Sequence, residues 1–146
     1  VLTTAGATRL EIANVRYDGA AADGTNAGIA IVGGDRISIH DCRFDGNFTV
    51  ACIDIRTTAT TDLEVSNVHC RDRRTVGGLN GFFLVDTITA STGMIGPNIY
   101  IRLADNEANI TEAVTGATFV VFDDVYVVNL ANEKAMLINW TATTDA

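Results

Sequence analysis

Proline occurs once in this chain, cysteine three times, and basic residues number 10 against 18 acidic ones. A single proline beside 13 glycines, in a chain rich in Val, Ile and Thr, favours strand and turn over helix. Three cysteines cannot all pair within one chain. Cys42, Cys52 and Cys70 each occupy an apolar place in a strand pattern, so they read as buried thiols. The deficit of positive charge leaves a net charge of −8 and argues against broad nucleic-acid binding. No apolar run approaches the ~18 residues of a membrane span, so no membrane partner is expected. Val1-Leu2-Thr3-Thr4 lacks the basic start and long apolar run of a signal peptide. The missing initiator Met points to a trimmed start or a fragment. Phosphate loops, metal-spaced His/Cys sets and nucleophile triads are also missing, so no metal or cofactor is implied.

What is present is a hydrophobic content of 47%, enough for a continuous core in one domain, and a recurring phrase. Arg36-Ile37-Ser38-Ile39-His40-Asp41-Cys42-Arg43-Phe44-Asp45-Gly46 alternates apolar and polar residues, breaks phase at Asp41 and resumes. Arg9-Leu10-Glu11-Ile12-Ala13-Asn14-Val15-Arg16-Tyr17-Asp18-Gly19 says the same thing earlier, and Asp62-Leu63-Glu64-Val65-Ser66-Asn67-Val68-His69-Cys70 says it again later. Looser copies start at Ile99 and Val125. From Leu10 through Ile37, Leu63 and Ile99 to Val125 the intervals are 27, 26, 36 and 26 residues. Strand-built units of that length are the mark of a solenoid, with the long interval taken up by a corner insertion around 86–117. Within that segment, Glu107-Ala108-Asn109-Ile110-Thr111-Glu112 reads as a possible short helix.

Stacking each unit on the next gives a parallel sheet at about 4.8 Å per layer, hence about five layers and a height of ~25 Å. One interior column is then Leu10, Ile37, Leu63, Ile99 and Val125, and its neighbour is Ile12, Ile39, Val65, Ile101 and Val127. A third holds Val15, Cys42, Val68 and Leu130, with Tyr17, Phe44 and Cys70 beside it. Each fully buried aliphatic contributes roughly 1.5–3 kcal/mol, so these columns outweigh surface charge in setting the fold. Asn14, Asp41, Asn67 and Asn129 stand where the phase breaks. Such residues tolerate a left-handed corner and bond nearby backbone, and stacked they would form a ladder of amides.

The Leu/Ile-x-Val/Ile-x-Asn/Asp-Val/Cys-x-aromatic unit resembles that of the pectate-lyase-like superfamily, which includes pectate lyases, polygalacturonases and the bodies of bacteriophage tailspikes. The resemblance covers residues 9–140. It implies an all-β, single-stranded, right-handed parallel β-helix of about five coils, with residues 1–8 as an N-terminal arm and 141–146 as a tail. Members with enzymatic activity have more coils and an N-terminal capping helix, and no amphipathic helix precedes Leu10.

Catalysis by paired carboxylates is poorly served here. Asp123-Asp124 is the one adjacent acidic pair, and neighbours on a strand point to opposite faces. The Asn-Thr-Asp and Arg-Ile-Lys signatures of polygalacturonases are absent. His40 near Glu11 and Glu64 is an alternative cluster, outweighed by the reading of a solvated mixed-charge face. Arg16 and Arg43 stack, with Asp18 and Asp45 two residues on and His69 above, as a ladder of weak surface pairs. Arg71, Arg73 and Arg74 are the one basic cluster, suited to an acidic neighbour or an anionic sugar. Asn47-Phe48-Thr49, Asn109-Ile110-Thr111 and Asn139-Trp140-Thr141 fit the glycosylation pattern, which chance supplies in a chain this rich in Asn and Thr.

Tyr100 and Tyr126 fall in the column that holds Glu11, Ser38 and Glu64 in earlier units, flanked by Arg102 and Val128. Two stacked tyrosines make an amphipathic platform for a neighbouring subunit or, second, a sugar ring. The sequence therefore leads to a non-enzymatic virion structural protein: a homotrimeric β-helix that decorates or cements a phage particle. It would assemble in the host cytoplasm and contact other virion proteins on the particle exterior. The alternative is part of a tailspike body that binds host glycan, and less favoured still is a polysaccharide lyase or hydrolase.

Overall fold

A computed structural model describes residues 2–19, 24–56, 58–72, 83–86, 91–103, 110–112, 118–121, 125–129 and 138–139. Every regular element among them is a strand. These are β1 (Leu2–Ala13), β2 (Arg16–Asp18), β3 (Gly24–Arg56), β4 (Thr60–Asp72), β5 (Phe83–Asp86), β6 (Thr92–Ile95), β7 (Ile99–Leu103), β8 (Ile110–Glu112), β9 (Thr118–Val121), β10 (Val125–Asn129) and β11 (Ile138–Asn139). All their pairings are parallel, in one sheet running β10-β7-β4-β3-β5-β8-β11, with β1 and β2 against β3 and β6 joining β4 to β9. The fold is all-β, built from parallel pairs whose partners lie far apart in sequence.

The register explains the repeated phrase. Leu10 pairs with Ile37 and Ile37 with Leu63, while Ile12, Ile39 and Val65 follow in step. Cys42 pairs with Val68, and Tyr17 with Phe44 with Cys70. Apolar side chains therefore stack on apolar side chains. Ile12, Ile37, Ile39, Cys42, Phe44, Leu63, Val65, Val68, Cys70, Ile95, Ile99 and Ile101 are all buried in one cluster, with Ile29, Ile31, Ile53 and Ile55. The three cysteines are buried, as their apolar positions require. Burial raises the Cys42 thiol above its ordinary value, and the thiol donates to the carbonyl of His40 at 3.1 Å.

Sharp corners recur in the same register. Asn14, Asp41, Asn67 and Asn98 have φ of 57°, 54°, 48° and 56°. These left-handed corners carry the Asx residues that tolerate them, and the Asn67 amide donates to the Asp41 carboxylate, linking two successive corners. A second set, Arg9, Arg36 and Asp62 with φ of 55°, 54° and 55°, lies one residue before Leu10, Ile37 and Leu63. Arginine has no intrinsic preference for that conformation, which costs roughly 1–2 kcal/mol, and the flanking buried columns hold it in place.

Several sequence expectations need correction. Ile99 does not stack on Leu63. Leu63 pairs with Gly93 and Val65 with Ile95, while Ile99 pairs with Val68 and Ile101 with Cys70. The interior columns thus continue through β6 for one half of the phrase and through β7 for the other. Gly93 stands where an apolar side chain was expected, so alternation passes over this strand. Within the expected corner insertion, Thr92–Ile95, Ile99–Leu103 and Ile110–Glu112 are strands in register. Residues 110–112, read as the end of a short helix, are β8 and pair with both β5 and β11. Asn98 is the fourth Asx corner instead of Asn129, which lies within β10 opposite Leu103. Residues 2–8, read as an arm, belong to β1 and pair with β3 from Leu2 onward. Leu130 and the 141–146 tail lie outside the described residues.

Candidate functional site

Two ladders on the half of the phrase after the Asx corner bring the charged residues together. Arg16, Arg43, His69 and Tyr100 are successive register partners, and Tyr126 is paired to Tyr100. Two residues on, the sequence of partners is Asp18, Asp45, Arg71, Arg102 and Val128. Side chains at i and i+2 share one face of a strand. The ladder therefore opens with balanced Arg and Asp, and changes at β4 and β7 to cations beside aromatic rings. Arg43, His69, Arg71, Tyr100 and Arg102 line a shallow cleft of about 220 Å³.

Among the described residues, cations outnumber carboxylates there. The Asp45 carboxylate, 6% exposed, lies 3.9 Å from the Arg43 guanidinium and 3.8 Å from that of Arg71. One carboxylate is shared between two arginines, and Arg102 has no ion-pair partner among the described residues. His69 adds little charge near neutrality: burial, then the Arg43 cation, hold its pKa below the ordinary value. Its ring meets Tyr100 edge to face, with centroids 4.6 Å apart and planes at 80°, the geometry that aromatic quadrupoles favour. The Tyr100 side is fixed on His69 yet the residue stays 39% exposed. Among the described residues the outcome is an arginine-lined, aromatic-edged recess on an acidic chain.

A second polar cluster sits on the other half of the phrase. His40 Nε2 is 2.8 Å from Glu11 Oε1, and its Nδ1 is 2.7 Å from Asp41 Oδ2. The hydrogen bond to Asp41, then that to Glu11, raise the His40 pKa, while the same bond to His40, then that from Asn67, lower the pKa of Asp41. Glu64 does not join them, because it pairs with Ser38 and not with His40. Among the described residues no group of three His, Cys, Asp or Glu side chains is arranged to hold a metal ion. Asp123 and Asp124 lie outside the described residues.

Of the surface residues that the sequence suggested, the structure brings Tyr100, Arg102 and Arg71 into one cleft. Tyr126 and Val128 are their register partners in β10, and Arg73 and Arg74 lie outside the described residues. Tyr100 does not occupy the column of Glu11, Ser38 and Glu64. That column continues to Met94, and Tyr100 stands on His69 instead. Arg43 and His69 were legible only as part of a neutral ladder, since their place beside Arg102 depends on the register of β7. Comparison with family models, with curated proteins and with solved structures gave no match.

Proposed function

We propose that the chain is a right-handed parallel β-helix of about five coils that serves as a non-enzymatic structural module of a bacteriophage particle. In this reading it forms a homotrimer, assembles in the host cytoplasm and packs against other virion proteins on the particle exterior. The observation that carries it is the parallel register from β1 through β3, β4 and β7 to β10, with left-handed corners returning at Asn14, Asp41, Asn67 and Asn98. Stacked units of this kind bury a continuous core and present a long, rigid side wall. The superfamily resemblance supplies the particle and the threefold association. Light scattering on the purified chain is expected to give three times the 15.5 kDa chain mass. A stable monomer at micromolar concentration would contradict it.

The cleft favours a second reading, a tailspike-type body that binds host surface saccharide. A structural side wall needs no surplus of cations beside an exposed tyrosine, whereas a binding site does.

A further inference from the structure

Resting on the threefold reading above, we infer that the chain meets a second copy of itself through two unlike faces. One is the cleft side after the Asx corner; the other is the column of Glu11, Ser38, Glu64 and Met94 before it. The two faces carry complementary groups at the same level of the register. Glu11 and Arg16 lie on β1 and β2, which both pair with β3. Glu64 and Arg71 both lie on β4. Met94 and Tyr100 lie on β6 and β7, which both pair with β4. Carboxylate thus matches guanidinium at the first two of these levels, and thioether matches aromatic ring at the third. Met94 and Tyr100 are two of the three exposed large hydrophobics among the described residues, and they stand at one level on either side of the Asn98 corner.

Charge and shape select this occupant. Before the corner, Arg36, Ile37, Ser38, Asp62, Glu64 and Met94 line a shallow recess of about 160 Å³, an exposed thioether beside two carboxylates. After the corner, the exposed Tyr100 ring stands beside Arg71 and Arg102. Aromatic rings take a thioether at their edge, and a guanidinium takes a carboxylate in its planar fork. Like faces brought together would set arginine against arginine or carboxylate against carboxylate, whereas unlike faces pair opposite charges. A contact between unlike faces is heterologous, and it closes into a ring when its rotations complete a turn. With the ring axis along the stack, every strand keeps the height of its own counterpart in the neighbour. That is the symmetry under which Met94 of one copy reaches Tyr100 of the next and Glu64 reaches Arg71. Exposed ion pairs are weak and screened by salt, so charge orients the contact and the Met94–Tyr100 pair holds it. An isolated side wall has no use for cations gathered beside an exposed tyrosine; a wall that faces the carboxylates of a second copy does.

The test is cross-linking between two single variants of the full chain, Met94→Cys and Tyr100→Cys, co-expressed and treated with a short bis-maleimide. Cys42, Cys52 and Cys70 are buried, which shields them from the reagent. A covalent species of twice the 15.5 kDa chain mass is expected from the co-expressed pair and from neither variant alone. Doubled mass from either variant alone would place like faces together and overturn the inference. No doubled mass from a pair that light scattering finds trimeric would overturn the face assignment and leave the threefold reading standing, whereas a monomeric parent chain would overturn both. Met94→Lys in the otherwise unmodified chain decides the case in which the cysteine pair does not assemble. Met94 is exposed, so circular dichroism is expected to report an intact fold, while a new cation facing Arg71 and Arg102 of the neighbour raises the concentration of half-assembly about tenfold. Unchanged assembly of the folded Met94→Lys protein would overturn the inference.

Discussion

His40 has a carboxylate oxygen against each ring nitrogen, Asp41 on one side and Glu11 on the other, and only the imidazolium donates to both. Its folded pKa is therefore raised. Stability from this contact is fully present below the ordinary histidine value of about 6.5 and is lost as pH rises through the folded value. His69 has the reverse setting. Its folded pKa is lowered by burial and by Arg43, so stability is lost as pH falls below the ordinary value toward the folded one. The chain has two histidines, so an NMR titration of their ring protons resolves both. His40 should titrate above free histidine and His69 below it; the opposite order would contradict both environments. At this scale the Asx corners were readable in advance, because Asn and Asp at a phase break have a local reason to turn left-handed. Arg9 and Arg36 in the same conformation were not, since nothing in an arginine side chain asks for it and only the flanking columns impose it.

Within β4, Val68 and Glu64 separate the two faces of a strand. Val68 is 1% exposed in the cluster with Cys42 and Ile99, whereas Glu64 is exposed beside Ser38 and Met94. Val68→Asp buries an unpaired charge and is expected to cost several kcal/mol or abolish folding. Glu64→Gln is expected within about 0.5 kcal/mol of the parent. Urea melts of the two variants check this, and similar midpoints would refute the assigned faces. Alternation made β1, the middle of β3 and β4 legible, because three copies of one phrase carry the same apolar positions. It failed at β6. Thr92-Gly93-Met94-Ile95 puts a glycine opposite Leu63, and periodicity then aligned Ile99 with Leu63 by skipping this strand. The slip moved Tyr100 to the wrong ladder and hid the site.

Over the whole molecule, positive charge is scarce, and the register gathers part of it into one place. Arg43, Arg71 and Arg102 come from three strands spread over some sixty residues of sequence, and only parallel pairing of β3, β4 and β7 brings them side by side. The basic run at Arg71, Arg73 and Arg74 was visible as composition, but Arg43 and Arg102 join it through long-range register, which composition does not contain. The cleft and the corrected columns depend on Tyr100 standing over His69. A two-dimensional NOE experiment on the unmodified chain examines that contact, with Tyr100→Phe and His69→Gln to assign the signals. Strong cross-peaks between the His69 imidazole protons and the Tyr100 ring are predicted from their edge-to-face contact at 4.6 Å. Cross-peaks from Tyr100 to the Glu64 side chain, with none to His69, would contradict the register and everything built on it.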